Sequence, residues 1–316
     1  MDAPLRLSVI VCTWNRAKLL AGALASIDRS DLPPSLAWEV IVVDNNSSDE
    51  TKAVCDDFAR RNPQRYRYLF EKRQGKSFAL NTGIAAARGE ILAFTDDDVT
   101  VDGQWLSEIL KIFESFPCIG VGGKIVERWT QDKPNWLSFE GRYKLMSVTG
   151  GYDRGDQPHP LTSAPFGANF SLRREAFQKY GDFRTDLGLA GTTRIGAEDT
   201  EFGWRMLRAG ETLIYAPKAI VFHPVAPEKI NKRYFMEWYY ALGKAKARIE
   251  RVPPGSVRYF GIPRYLLRAC IPDLLLWLTS VTERRRFFYR LQFLNAWGRL
   301  MEEKRLWQSD QQVSSR

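Results

Sequence analysis

The chain has 316 residues, 44% of them hydrophobic and 13% aromatic, a composition that excludes a disordered chain and suits one large or two modest domains. It holds only two histidines, His159 and His223, and its four cysteines, Cys12, Cys55, Cys118 and Cys270, are widely spaced, so a three-histidine metal site, a zinc motif and a disulfide framework are all excluded. The formal net charge of +9 is concentrated at one end, since residues 229–316 carry 18 Lys and Arg against 7 Asp and Glu.

Residues 7–13 form a β-branched run that reads as a strand, and 17–27 have helical periodicity. A second strand over 38–44 runs into the turn cluster Asn45-Asn46-Ser47-Ser48 and a helix over 50–61. Strands over 66–70, 90–95 and 119–126 then alternate with helices over 77–87 and 103–116. This repetition, with nearly continuous apolar strands, predicts an α/β domain with a parallel, doubly wound sheet that binds ligands at the carboxyl ends of its strands.

Residues 127–165 lose the periodicity and read as a binding loop. Regular structure resumes over 166–172 and in a helix over 173–179. A loop with Gly181, Gly188, Gly191 and Gly196 leads into Glu198-Asp199 and a helix over 202–209, and 212–223 reads as one or two short strands. Beyond Lys229 the pattern turns helical, aromatic and basic. The apolar stretch 265–281 is interrupted by Arg268, Pro272 and Asp273, so it is not expected to span a membrane. Arg284-Arg285-Arg286 with Phe287, Phe288 and Leu291 suggests an interfacial amphipathic helix, or an ordinary helix with solvated arginines. Neither a leader segment nor a nucleic-acid module is read, and the dispersed cysteines suit a reducing, cytoplasmic compartment.

The sharpest chemical signal is Asp96-Asp97-Asp98, directly after the apolar strand over 90–95. Adjacent carboxylates repel unless a cation or hydrogen bonds offset them. Hard divalent cations share oxygen ligands between carboxylates and substrate phosphates. The triplet therefore predicts a metal–phosphate site at a strand end, with a solvated acidic turn or helix cap as the plainer alternative. Other motifs fail. Gly75-Lys76-Ser77 lacks the glycine a P-loop needs at Phe70, Gly120-Val121-Gly122-Gly123 has Ile125 where a dinucleotide fingerprint needs glycine, and no G-x-S-x-G occurs.

Read in order, the strand end through Thr13-Trp14-Asn15-Arg16, then Asp44-Asn45-Asn46-Ser47-Ser48-Asp49, Gly75-Lys76-Ser77 with Asn81, Asp96-Asp97-Asp98 and Glu198-Asp199 resemble the inverting family 2 glycosyltransferases of the GT-A fold. The resemblance covers about residues 5–224. It implies a GT-A catalytic domain over 1–228, nucleotide-binding over about 1–126 and acceptor-binding over about 127–228, followed by a mostly helical segment over 229–316. It implies a nucleotide-sugar donor, UDP-linked, a glycan or lipid-linked acceptor, and Mn²⁺ or Mg²⁺ as cofactor. Nucleic acid is not an expected partner. Peripheral contact with an anionic membrane through 229–316, at the inner face of the plasma membrane, is expected.

Residue by residue, the resemblance makes Asp98 a direct metal ligand and Asp96 a contact to ribose or metal. Asp97, in the variable middle position, is left to the nucleotide or to solvent. Thr13, Asn15 and Arg16 would contact base and ribose, Asp44 the uracil edge, and Asn46, Lys76 and Asn81 the rest of the nucleotide. Asp199 would be the general base, Glu198 would assist acceptor binding, and His223 would reach the metal or diphosphate. Plainer roles stand beside these: a turn cap for Asp44, a solvated lysine, helix-capping acids at 198–199, and a strand-end histidine. A catalytically silent nucleotide-sugar-binding scaffold is the alternative function, and a glycoside hydrolase built on paired acids ranks last.

Overall fold

The computed structural model describes residues 5–145, 148–190, 195–253 and 255–314. The chain divides into two compact units. The first comprises residues 1–128, 150–191 and 198–224, and the second residues 129–149, 192–197 and 225–316.

The first unit is built on β1 (Leu7–Thr13), α1 (Ala17–Asp28), β2 (Trp38–Asp44), α2 (Thr51–Arg61), β3 (Tyr66–Phe70), α3 (Lys76–Ala86), β4 (Ile91–Asp96), β5 (Thr100–Val101), α4 (Trp105–Ser115) and β6 (Gly120–Trp129). It continues through β7 (His159–Pro160), β8 (Phe170–Arg173), α5 (Glu175–Tyr180), α6 (Glu198–Arg208) and β9 (Leu213–Val225). The near-continuous apolar runs of β1, β2 and β4 are buried along almost their whole length, as strands covered on both faces must be. Helix α4 shows the complementary pattern: Trp105, Leu106, Ile109, Ile112 and Phe113 recur at helical spacing and are buried.

Among the described residues the sheet runs β3-β2-β1-β4-β8-β6-β9-β5, with β7 beside β9. Strands β3, β2, β1 and β4 pair in parallel, whereas β8 is antiparallel to β4 and β6, and β5 to β9. The expected all-parallel sheet is thus corrected to a mixed one. Of the one or two short strands expected over 212–223, the structure has one, β9, and it is long, running from Leu213 to Val225. The glycines of 120–123 lie inside β6, where an added side chain on Gly120 would strike Leu172 and Leu213, so they serve strand packing and not a cofactor turn.

The second unit contains α7 (Lys232–Ile249), a hairpin of β10 (Arg258–Tyr259) and β11 (Ile262–Pro263), α8 (Arg264–Thr279) and α9 (Glu283–Ser314). Its core joins Leu137 and Leu145 to Phe235, Tyr239, Phe287 and Leu291, with Trp136 edge-on to Phe235 and Phe287 at 5.1 and 5.0 Å. Part of the irregular 127–165 stretch therefore finds its partners about a hundred residues later in the chain. Phe287 and Leu291 are core residues, which corrects the expectation that this segment forms an interfacial helix. Among the described residues no helix is long and apolar enough to cross a membrane.

Candidate active site

Strand register places the first site residues. Thr13 pairs with Asp44 across β1 and β2, and Cys12 with Asp96 across β1 and β4, so the carboxyl ends of three parallel strands share one edge. The chain leaves β1 toward β2 on one side and later returns as β4 on the other. This is the switch point at which open α/β sheets bind ligands, and Asp96, Asp97 and Asp98 lie there.

Asp96, Asp98 and His223 each present a ligand atom within 4.8 Å of the others. The three come from β4, the turn after it and β9, residues remote in sequence. His223 Nε2 lies 3.7 Å from Asp98 Oδ1, too long for a hydrogen bond, and that buried oxygen has no hydrogen-bond partner among the described residues. An acceptor oxygen left over in a cluster of carboxylates beside an imidazole fits a divalent cation.

Asp97 behaves differently. It is 4% exposed, accepts from Thr13 Oγ1 at 2.7 Å and from Arg16 Nη1 at 2.9 Å, and burial raises its pKa against the pull of Arg16. The middle aspartate therefore does not face solvent. It anchors the loop after β1, and Arg16 spans from it to Asp98 Oδ2 at 3.1 Å.

Lys76, at the start of α3, is no solvated lysine. Its Nζ donates to Asp96 Oδ1 at 2.7 Å and lies 3.7 Å from Glu198 Oε1. Burial opposes its charge, but Asp96 and Glu198 outweigh burial and raise its pKa well above the ordinary value. Burial likewise opposes the charge of Asp96, and Lys76 reverses the effect, so that the Asp96 carboxyl sits below its usual range. Burial pushes the Glu198 carboxyl up to about 7, with Lys76 pulling the other way. Asp199 accepts from the backbone N–H of Gly167 and, through Oδ1, from that of Thr200 at 2.6 Å. Lys76, Asp96, Phe183, Gly167, Glu198 and Asp199 line one narrow crevice. Cys12 also borders it, but burial pushes its thiol well up, which suits an inert side chain and not a nucleophile. A roomier cleft between Arg173 and Glu211 holds none of the predicted residues.

The remaining predicted residues shape the loops. Asp44 is buried, accepts from the Ser47 N–H at 2.9 Å and from the Tyr68 hydroxyl at 2.9 Å, and so does cap the turn. Asn15, at φ +52°, accepts from the Ser48 N–H at 2.7 Å and clips the first strand-end loop to the second. Asn46 is exposed at φ +66°. Asn81 places both arms of its amide on the Phe183 backbone, at 2.9 and 3.1 Å. Its contact with the crevice therefore runs through Phe183. Of the glycine loop before Glu198, Gly191 and residues 192–194 lie outside the described residues.

Sequence reasoning missed two anchors. Asn45 is buried, donates to the carbonyls of Glu71 and Arg73, and accepts from Gln74 and the Gly75 N–H, which fixes the approach to Lys76. Glu71 is clamped by Arg73 and Thr82, and Arg73 holds its carboxyl down to about 2. In sequence both look like ordinary polar turn residues. The only available signal was their position at the ends of apolar strands.

A mixed α/β sheet with an acidic metal-type cluster at its switch point, and a helical C-terminal region after it, is the architecture of a GT-A glycosyltransferase. The family model for glycosyl transferase family 2 matches residues 8–181, and the chain belongs to that family. Relatives include the succinoglycan biosynthesis protein ExoM of Rhizobium meliloti, 26% identical over 78% of this chain and 75% of that protein. The glucosyl-dolichyl phosphate glucuronosyltransferase of Haloferax volcanii is 25% identical over 69% of each chain. Among solved structures, the mannosyltransferase PcManGT from Pyrobaculum calidifontis, in complex with GDP-Man and Mn²⁺, is similar in fold at TM-score 0.60, 20% identity, covering 99% of this chain and 76% of that one. The chain is accordingly a glycosyltransferase, as the ordered motifs led us to expect.

Proposed function

We propose that the protein transfers a sugar, with inversion, from a UDP-sugar to a hydroxyl of a glycan or lipid-linked acceptor, using Mn²⁺ or Mg²⁺. The observation that carries this reading is the convergence of Asp96, Asp98 and His223, tied through Lys76 to Glu198 beside Asp199. Donor-type and acceptor-type carboxylates thus share one crevice, as direct displacement requires.

Asp98, Asp96 and His223 would hold the cation, which when bound offsets the negative charge developing on the departing diphosphate. Thr13, Asn15, Arg16, Asp44 and Asn46 line or brace the nucleotide pocket, and Asn81 supports it through Phe183. Lys76 keeps a fixed positive charge next to the phosphate side. Asp199, oriented by the Gly167 and Thr200 N–H groups, takes the proton of the acceptor hydroxyl as that oxygen attacks the anomeric carbon. Glu198 positions the acceptor. We assign the donor to residues 1–126 and the acceptor to 127–228. The lipid-linked acceptor is supported by the name of the Haloferax relative, which specifies a dolichyl phosphate. UDP follows from the resemblance at Asp44, and GDP, present in the PcManGT complex, is its direct competitor.

The test is a donor-hydrolysis and transfer screen across UDP-, GDP- and dTDP-sugars with Mn²⁺ or Mg²⁺, followed by the anomeric configuration of the product. Turnover that survives both chelation and Asp98→Ala would overturn the metal role. Retained configuration would overturn direct displacement. Tight donor binding with no transfer to any acceptor would restore the scaffold reading.

A further inference from the structure

We propose that the β10–β11 turn and the outer face of α8 form a docking surface for an anionic lipid bilayer, with Phe260 as its aromatic wedge. The proposal deepens the lipid-linked acceptor reading above, on which it rests for its biological sense.

Phe260 is the first indication. Tyr259 pairs with Ile262, leaving Phe260 and Gly261 as a two-residue turn, and both have positive φ, +50° and +82°. Such turns favour Gly, Asn or Asp, because a bulky side chain in the left-handed region is strained. Here the strained residue is a phenylalanine with 93% of its surface exposed, so packing within the chain does not offset the strain. Strain kept at an exposed aromatic points to a use outside the fold.

The helix that follows directly supplies a second, independent indication. On α8, Leu266 and Cys270 face inward and cluster with Leu300. The opposite stripe carries Ile271, Leu275 and Leu278 at four- and three-residue spacing, each more than half exposed, and Val281 beyond the helix end is 95% exposed. Contiguous exposed apolar surface of this kind is rare on a free protein and marks an interaction face.

Charge selects the occupant. Arg264 and Arg268 are exposed on the same stripe, Arg284 and Arg286 are exposed just after Val281, and the segment from Lys229 carries the whole basic excess of the chain. Apolar side chains flanked by arginines complement acyl chains beneath anionic headgroups. At 16 residues with an internal proline, α8 is too short to span a bilayer and is suited to lie along its surface.

Flotation of the full chain with phosphatidylglycerol–phosphatidylcholine vesicles at low salt tests the proposal, with pure phosphatidylcholine as the uncharged comparison. The wild type should float with the anionic vesicles. Phe260→Asn and the double variant Ile271→Ser/Leu275→Ser should each lower vesicle partition by about tenfold or more. Their melting temperatures should be unchanged, or raised for Phe260→Asn because Asn tolerates the left-handed backbone. Donor hydrolysis measured without vesicles should stay at the wild-type level. Absence of wild-type flotation, or variants that float like wild type, overturns the surface. So does a concentration-dependent dimer that Phe260→Asn abolishes, since the face would then belong to a second copy. A protein that floats as described but transfers sugar from no nucleotide sugar to a lipid-linked acceptor sinks the proposed acceptor reading and leaves the surface standing.

Discussion

Asp199 and Glu71 show how much a carboxylate's neighbours decide its role. Asp199 is held inside the crevice by two backbone N–H groups, one on each carboxylate oxygen, so Asp199→Asn keeps the size of the side chain and one of those two bonds while removing the group that accepts the proton. We expect kcat to fall by about 10²–10⁴-fold with the donor KM little changed. Steady-state kinetics giving a kcat within tenfold of wild type would remove Asp199 as the base. Glu71 has a structural task, and its signature is a pH dependence. Arg73 holds its folded pKa at about 2, below the ordinary 4.5, so the unfolded chain binds its proton first as pH falls. The stabilisation is therefore full above about pH 4.5 and is lost progressively toward pH 2. Glu71→Gln should melt lower than wild type at pH 7, and the difference should shrink through that window. Parallel melting curves across the range would contradict this. Neither role could be told from residue type. Asp96, Asp97 and Asp98 are identical in sequence, yet Asp97 turns inward to Thr13 and Arg16 while its neighbours join His223.

At the scale of elements, the first four strands and the helices between them were legible because long apolar runs and helical periodicity act locally. Their ends came within a residue or two: the predicted start of α2 at residue 50 moved to Thr51, whose N–H and hydroxyl both donate to Asp49. Strand direction was not legible, since β8 has the same pattern whether it runs with or against β4. Helix crossing was also hidden. An added Cβ on Gly243 in α7 would lie 1.9 Å from the Asn295 carbonyl oxygen, and one on Gly298 in α9 would lie 2.1 Å from that of Tyr240. These glycines let two helix backbones touch, and backbone cannot move aside as a side chain can. Gly243→Ala should therefore destabilise by about 1–3 kcal/mol or more through overpacking. Gly22→Ala is the internal comparison, because none of the described residues lies within 4 Å of its added Cβ in α1, and it should stabilise by about 0.5–1 kcal/mol. Chemical denaturation of the two variants measures both signs. Equal effects would mean that helix propensity, and not the close approach, governs position 243.

Over the whole molecule, the acidic cluster lies in the first unit, while the basic excess begins at Lys229 and falls in the second. In the first unit, Asp96, Asp97, Asp98, Glu198 and Asp199 are opposed by Lys76 and Arg16, and one buried oxygen of Asp98 has no hydrogen-bond partner among the described residues. That imbalance destabilises the metal-free protein, and a bound divalent cation would relieve it. Binding to the folded state alone stabilises by about 2.7 kcal/mol at a hundredfold excess over Kd. For a chain of this size that corresponds to a rise in melting temperature on the order of 5 °C. Because the two units have separate cores, a melt that resolves two transitions should show the shift in the one that reports the first unit. Asp98→Asn separates the site from unspecific ion effects. It removes one of the crowded negative charges, so its metal-free melting temperature should equal or exceed that of wild type, while Mn²⁺ should no longer raise it and sugar transfer should be lost. Differential scanning calorimetry with Mn²⁺ and with chelator distinguishes the cases. An equal Mn²⁺ shift in wild type and Asp98→Asn would place the cation elsewhere on this molecule, and the charge imbalance at the switch point would then need another partner.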